Sequence, residues 1–140
     1  MLSEIEALFV QDQRVAHLAT ADANGEPHVV PICFVYSAGL FYSVIDEKPK
    51  RPGTLRRLRN IRENPHAAVV VDHYDEEWTN LGWVLVRGLA SILEGGAEHD
   101  AALAALRDKY PQYRKMALAG KPVIKVTPQG VTSWGRASQE

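Results

Sequence analysis

Apolar and polar positions fall into short runs separated by turn signals, and each run has a readable period. Ser3 followed three residues later by Glu6 is a capping box, and Leu2, Ile5, Leu8 and Phe9 then share a face, which predicts a short amphipathic helix. Residues 14–21 are β-formers or small apolar residues and end at Asp22-Ala23-Asn24-Gly25, where Asn-Gly tolerates the positive φ of a tight turn. The next apolar run, residues 29–36, completes a hairpin; Pro31 inside it calls for an edge, a bulge or a close backbone approach. A third strand covers residues 40–45 after Ala38-Gly39. Beyond a loop holding Pro49, Pro52 and Gly53, Thr54 is placed to cap a helix with Leu55, Leu58 and Ile61 at intervals of three, ending at Asn64-Pro65.

Residues 67–72 form a β-branched strand, and residues 81–93 a longer one that can bend at Gly88. Residues 97–110 have the apolar spacing of a helix, residues 112–119 suggest a shorter one, and strands 123–127 and 131–134 close the chain around Pro128-Gln129-Gly130. The total is about seven strands and three or four helices. Consecutive hairpins with inserted helices predict an α+β, mainly β fold, an antiparallel barrel with helices packed on the outside. No repeat or linker divides the chain, so residues 1–140 read as one domain.

Composition narrows the classes. A 46% hydrophobic content over 140 residues supports a packed core. No apolar run reaches the roughly 20 residues a bilayer requires, and Glu4 and Glu6 do not suit a signal peptide. With Cys33 as the single cysteine there is no internal disulfide and no multi-cysteine metal cage, so a cytoplasmic location is the default expectation. A net charge of −1 gives no general reason to expect a nucleic acid or a membrane as partner.

The charge is unevenly placed. Lys48, Lys50, Arg51, Arg56, Arg57, Arg59 and Arg62 are seven of the 16 basic residues, with no acid between them. A basic loop running into a helix N-terminus suits a phosphate, because helix-end amides and guanidinium groups both favour an anion. A solvated helix face explains the same charges equally well when they are taken alone. Leu55, Leu58 and Ile61 claim the buried side, so Lys48, Lys50 and Arg57 are the expected grip. Nucleic acid is the rival ligand, but no aromatic residue stands among these charges to stack a base. His73 beside Asp72, Asp75, Glu76 and Glu77 lacks metal-ligand spacing, and no metal is expected. GxGxxG, P-loop and GxSxG motifs are absent, which disfavours a Rossmann dehydrogenase, a P-loop NTPase and an α/β-hydrolase.

Several stretches in order resemble the pyridoxamine 5′-phosphate oxidase-like family of split β-barrels. They are Arg14-Val15-Ala16-His17-Leu18-Ala19-Thr20, Gly25-Glu26-Pro27-His28-Val29-Val30-Pro31-Ile32, Leu40-Phe41-Tyr42-Ser43 before the basic loop, Leu58-Arg59-Asn60-Ile61-Arg62-Glu63-Asn64-Pro65 and Gly82-Trp83-Val84-Leu85-Val86-Arg87-Gly88. The Lys48-Pro49-Lys50-Arg51 loop and Val71-Asp72-His73-Tyr74-Asp75-Glu76 look closest to the branch using the deazaflavin coenzyme F420. The Arg-x-x-Leu-Leu-Lys strand of the classical oxidases is replaced by His28-Val29-Val30-Pro31-Ile32-Cys33.

The resemblance implies an oxidoreductase that holds F420, or alternatively FMN, and moves a hydride to or from a small substrate. It places Ser43 and Val44 at the ring or ribityl chain, Lys48, Lys50 and Arg57 at the phosphate, and the backbone of Val30, Pro31 and Ile32 against the ring. Trp83 and Trp134 are implied at the cofactor as well, from the same chain or from the second subunit of a homodimer that binds the cofactor at its interface. The cofactor carries the redox chemistry, so no catalytic residue is assigned. A non-enzymatic cofactor carrier and a nucleic-acid-binding protein remain the alternatives, and some split barrels resemble haem-handling proteins.

Overall fold

The capping box is formed in the computed structural model, which describes residues 1–46 and 55–138. The Ser3 hydroxyl accepts the Glu6 N–H at 3.1 Å, and the Glu6 carboxylate accepts the Ser3 N–H at 2.8 Å. Helix α1 (Glu4–Asp12) buries Phe9 and Val10, whereas Leu8, expected on the same face, is 61% exposed.

Strands β1 (Ala16–Ala21) and β2 (Pro27–Ile32) form the first hairpin, and β3 (Val35–Ser37) and β4 (Leu40–Val44) the second. Helix α2 (Arg56–Glu63) leads into β5 (His66–His73) and β6 (Gly82–Leu93), and α3 (Ala97–Lys109) precedes β7 (Val123–Gly135). The seven strands make one antiparallel sheet in the order β2-β1-β5-β6-β7-β4-β3. The sheet curls until Leu18 and Ile32 of the first hairpin meet Phe41 and Ser43 of β4 around a void of only about 10 Å³. This is the mainly β split barrel expected, with three α-helices against it.

Alternation along the strands fills two cores. Leu18, Phe41, Val69, Val84, Val86, Ile124 and Val126 point into the barrel, joined by Phe9 of α1 and by Leu58 and Ile61 of α2. Tyr42, Val44 and Val123 point the other way and pack beneath Leu103 and Leu106 of α3. Each of these fully buried large side chains contributes about 1.5–3 kcal/mol. Among the described residues no helix is long and apolar enough to cross a membrane.

Three sequence-based expectations are corrected. The run 29–36 is two strands, because the Tyr110 hydroxyl accepts the Phe34 N–H at 3.0 Å, replacing a ladder bond there, with the carbonyls of Arg14 at 2.8 Å and Phe34 at 3.0 Å as the acceptors for its proton. The two closing strands are one, β7, which passes Pro128-Gln129-Gly130 as a bulge: Arg87 pairs with Gly130 and Gly88 with Pro128, leaving Gln129 unopposed. The second helical stretch is a single 3-10 turn, Pro111–Lys115.

Candidate functional site

Strand β2 is an edge of the sheet and, among the described residues, pairs only with β1, which leaves the backbone groups on its other side outside the described ladder. Pro31 suits that position because it has no N–H to donate. Pro31 faces outward opposite His17, while Val30 and Ile32 lean on the barrel core. Across the closure, β4 carries Ser43 on its inward face beside Phe41, and Ile32 and Ser43 line the same small void. Val44 points the other way into the second core, so only its backbone is presented on the barrel side.

Beneath α3 the orientation of β4 is fixed by polar contacts. The Tyr42 hydroxyl donates to Glu98 at 2.7 Å, and Lys125 meets the same carboxylate at 2.8 Å. Burial, then the contact with Glu98, pushes the Tyr42 hydroxyl up to about 12. The bonds from Lys125 and then from Tyr42 hold Glu98 below the usual carboxylate range. With Tyr42 held outward, the pleat turns Ser43 inward.

The chain leaves β4 and re-enters the described residues at Leu55, the N-cap residue of α2. Lys48 and Lys50, and Thr54 as the expected cap, lie outside the described residues. Among the described residues no side chain caps the N-terminus of α2, its first turn holds no acid, and Arg56 and the half-buried Arg57 open it. The helix is seated instead by Leu58 and Ile61 in the core and by Asn60, fully buried, whose amide donates to the Thr20 hydroxyl of β1 at 3.1 Å. That Asn60–Thr20 tie was missed in the sequence; the one uncharged polar residue among the helix's arginines was its signal.

The other arginines of the basic segment divide. Arg56 pairs with Glu26 at 3.2 Å, near Asp22 at 4.0 Å. Asp22 is held below the usual carboxylate range by the backbone N–H groups of Glu26 and Asn24, and then by Arg56. Arg62 reaches Glu94 at 3.7 Å. A continuous cationic face of the kind a nucleic acid requires is therefore interrupted by three acids from elsewhere in the chain, Asp22, Glu26 and Glu94.

Trp83 and Trp134 are direct cross-strand partners on β6 and β7. Trp134 is ten positions along β7 from Ile124, the partner of Ser43, roughly 30 Å of extended strand. Within one chain the tryptophans therefore lie far from Ser43 along the sheet, whereas the register across β1 and β5 sets Pro31 of β2 level with Leu85, two positions from Trp83. His17 lies on the outer sheet face and His28 pairs with Thr20; Cys33 is half-buried against the second core. Among the described residues no three His, Cys, Asp or Glu side chains gather to hold a metal.

This geometry can be set beside known proteins. A 5a,11a-dehydrotetracycline/5a,11a-dehydrooxytetracycline reductase of Streptomyces rimosus is 27% identical over 133 residues, covering 93% of this chain and 80% of that one. The conserved hypothetical protein Rv2991 of Mycobacterium tuberculosis superposes with a TM-score of 0.77 at 21% identity, over 97% of this chain and 86% of the other, a likeness of fold. An FAD-binding protein of Mesorhizobium loti superposes with a TM-score of 0.66 at 28% identity, over 94% of each chain. The profile of the pyridoxamine 5′-phosphate oxidase family matches residues 1–135, and the chain belongs to that family.

Proposed function

We propose that this chain is an oxidoreductase that binds F420, with FMN as the alternative, and transfers a hydride to or from a small organic substrate. The observation that carries the reading is the N-terminus of α2: a helix start with no side-chain cap among the described residues, no acid in its first turn and Arg56 and Arg57 beside it. An anion there would accept the exposed amides and offset the cationic first turn. The reductase from Streptomyces rimosus and the FAD-binding protein from Mesorhizobium loti support a flavin-type cofactor and a reductive activity.

Lys48, Lys50 and Arg57 would hold the phosphate. The free edge of β2 at Val30, Pro31 and Ile32 would orient the ring by backbone contacts, with Ser43 and the backbone of Val44 on the opposite side. When bound, the cofactor supplies the hydride chemistry; the protein's part is grip, orientation and exclusion of water. Two copies pairing through the outer sheet face would bring Trp83 and Trp134 of one to the cofactor of the other. Exposed Val29, Leu89 and Trp134 on that face support such pairing, and sedimentation of a dimer is the expected result.

Titration with F420 and with FMN, followed by tryptophan fluorescence and melting temperature, tests the reading. One of them is expected to add about 2.7 kcal/mol of stability at a hundredfold excess over Kd. If neither changes fluorescence or melting at saturation, the proposal fails. Oxidation of the reduced cofactor against a panel of conjugated ketones and enones then distinguishes an enzyme from a carrier.

A further inference from the structure

We propose that Lys109 is a modification site for carbon dioxide: its amine, enclosed over Phe34 at the C-terminal end of α3, adds the gas to form a carbamate that Arg14 receives. The amine nitrogen stands 3.9 Å from the centre of the Phe34 ring and 5.4 Å from that of Tyr110. It is shielded from solvent and has no hydrogen-bond partner among the described residues. Lys125, by contrast, meets Glu98 at 2.8 Å. An enclosed ammonium given ring faces in place of acceptors is poorly compensated, which favours the neutral amine.

A second cation adds to the imbalance. Arg14 Nη1 donates to the Lys109 carbonyl at 2.7 Å, and its guanidinium lies 5.5 Å from the centre of the same Tyr110 ring. Burial, then Arg14, brings the Lys109 ammonium down from 10.5 to about 8, while Cys33 and Asp12 pull the other way. The remaining neighbours are Asp108 on α3 and the Tyr110 hydroxyl, which burial pushes up to about 12 and keeps protonated. At pH 8 the neutral fraction of Lys109 is then roughly a hundred times that of an ordinary lysine.

The approach is a cavity of about 240 Å³ between α1, β3 and α3, which Gln11, Tyr36 and Asp108 line together with Lys109. An amine closed to solvent selects a small, uncharged electrophile. The nitrogen lone pair forms the N–C bond, one C=O π pair moves onto oxygen, and the amine proton leaves to solvent; nothing is oxidised or reduced. A cation that repels Arg14 is replaced by an anion that accepts from it, so an unfavourable pair becomes a charge-assisted one.

None of these residues belongs to the proposed cofactor site or to the sheet face proposed for pairing, so the inference does not require a flavin-type cofactor. It is tested on the full chain without F420 or FMN, in isotopically labelled bicarbonate at about pH 8. Carbamates are trapped with triethyloxonium and located by peptide mass spectrometry. An adduct is expected on Lys109 and not on the exposed Lys115. The matching carbamate resonance should vanish in Lys109→Met and in Lys109→Arg, two variants that keep the stem and differ in charge. Arg14→Gln should lower occupancy about tenfold, the weight of one charge-assisted hydrogen bond. No adduct on Lys109 at saturating bicarbonate would overturn the proposal and leave the ammonium as a cation held by Phe34. Equal trapping on Lys115, a resonance that persists in both Lys109 variants, or full occupancy in Arg14→Gln would overturn it as well.

Discussion

Helices α1 and α2 are nearly the same length, nine and eight residues, yet their N-termini are built on opposite terms. In α1, Ser3 and Glu6 exchange hydrogen bonds, and Glu4 and Glu6 place negative charge at the positive end of the dipole. In α2, Leu55 offers no side-chain cap, and Arg56 and Arg57 bring positive charge to that end. Glu26 and Asp22 offset the Arg56 charge, and an uncompensated positive charge at that end costs about 0.3–1 kcal/mol near the surface. Burial of Leu58 and Ile61 outweighs that cost at about 1.5–3 kcal/mol each. A helix whose own sequence completes its terminus is structural. One held in place from the side, with no side-chain cap among the described residues, is suited to receive an anion.

Breaking the side support should have the largest effect. Leu58→Ala empties a core position that is 5% exposed and should cost about 2–5 kcal/mol in denaturant unfolding, with loss of cofactor binding as α2 detaches. A loss below 1 kcal/mol would mean that α2 is held by its loop rather than by its buried face. Asn60→Ala removes the partner of the Thr20 hydroxyl in a buried place and should cost about 1–3 kcal/mol. Thr20→Val combined with Asn60→Ala should cost less than the sum of the two single changes, because the contact can be lost only once.

These contacts also mark where sequence reasoning reached and where it stopped. The period-two runs ending at Ala21 and Asp72, and the helical spacing of Leu103 and Leu106, are local properties and were legible as β1, β5 and α3. The break at Phe34 was not, because its cause, the Tyr110 hydroxyl, lies 76 positions away. The bulge at Gln129 was hidden for a related reason: Pro128 and Gly130 signal a turn locally, and only pairing with β6 carries the strand through them. At the candidate site, the basic segment was visible as an excess of charge, and its apolar positions indicated that it could not all face one ligand. That Arg56 belongs to Glu26 and Arg62 to Glu94 depends on tertiary approach, as does the meeting of Ile32 with Ser43.

Between the two helix starts, smaller changes should separate stability from binding. Ser3→Ala removes a formed cap and should lower stability by about 1 kcal/mol. Cofactor affinity should not move, since α1 belongs to the structural class. A concurrent fall in affinity would show that the two helix ends are not independent.

Arg57→Gln is the converse change. It takes one positive charge from the first turn of α2 and should cost less in unfolding than Leu58→Ala, because the buried face of the helix is kept. Affinity for F420 or FMN should nevertheless fall about tenfold or more, about 1.4 kcal/mol, because a charge-assisted hydrogen bond to phosphate is lost. The loss should shrink as ionic strength rises from 0.01 to 1 M, where the screening length contracts from about 30 Å to about 3 Å. Unchanged affinity at low salt would move the phosphate away from α2, and the missing cap would then be a cost borne by burial alone.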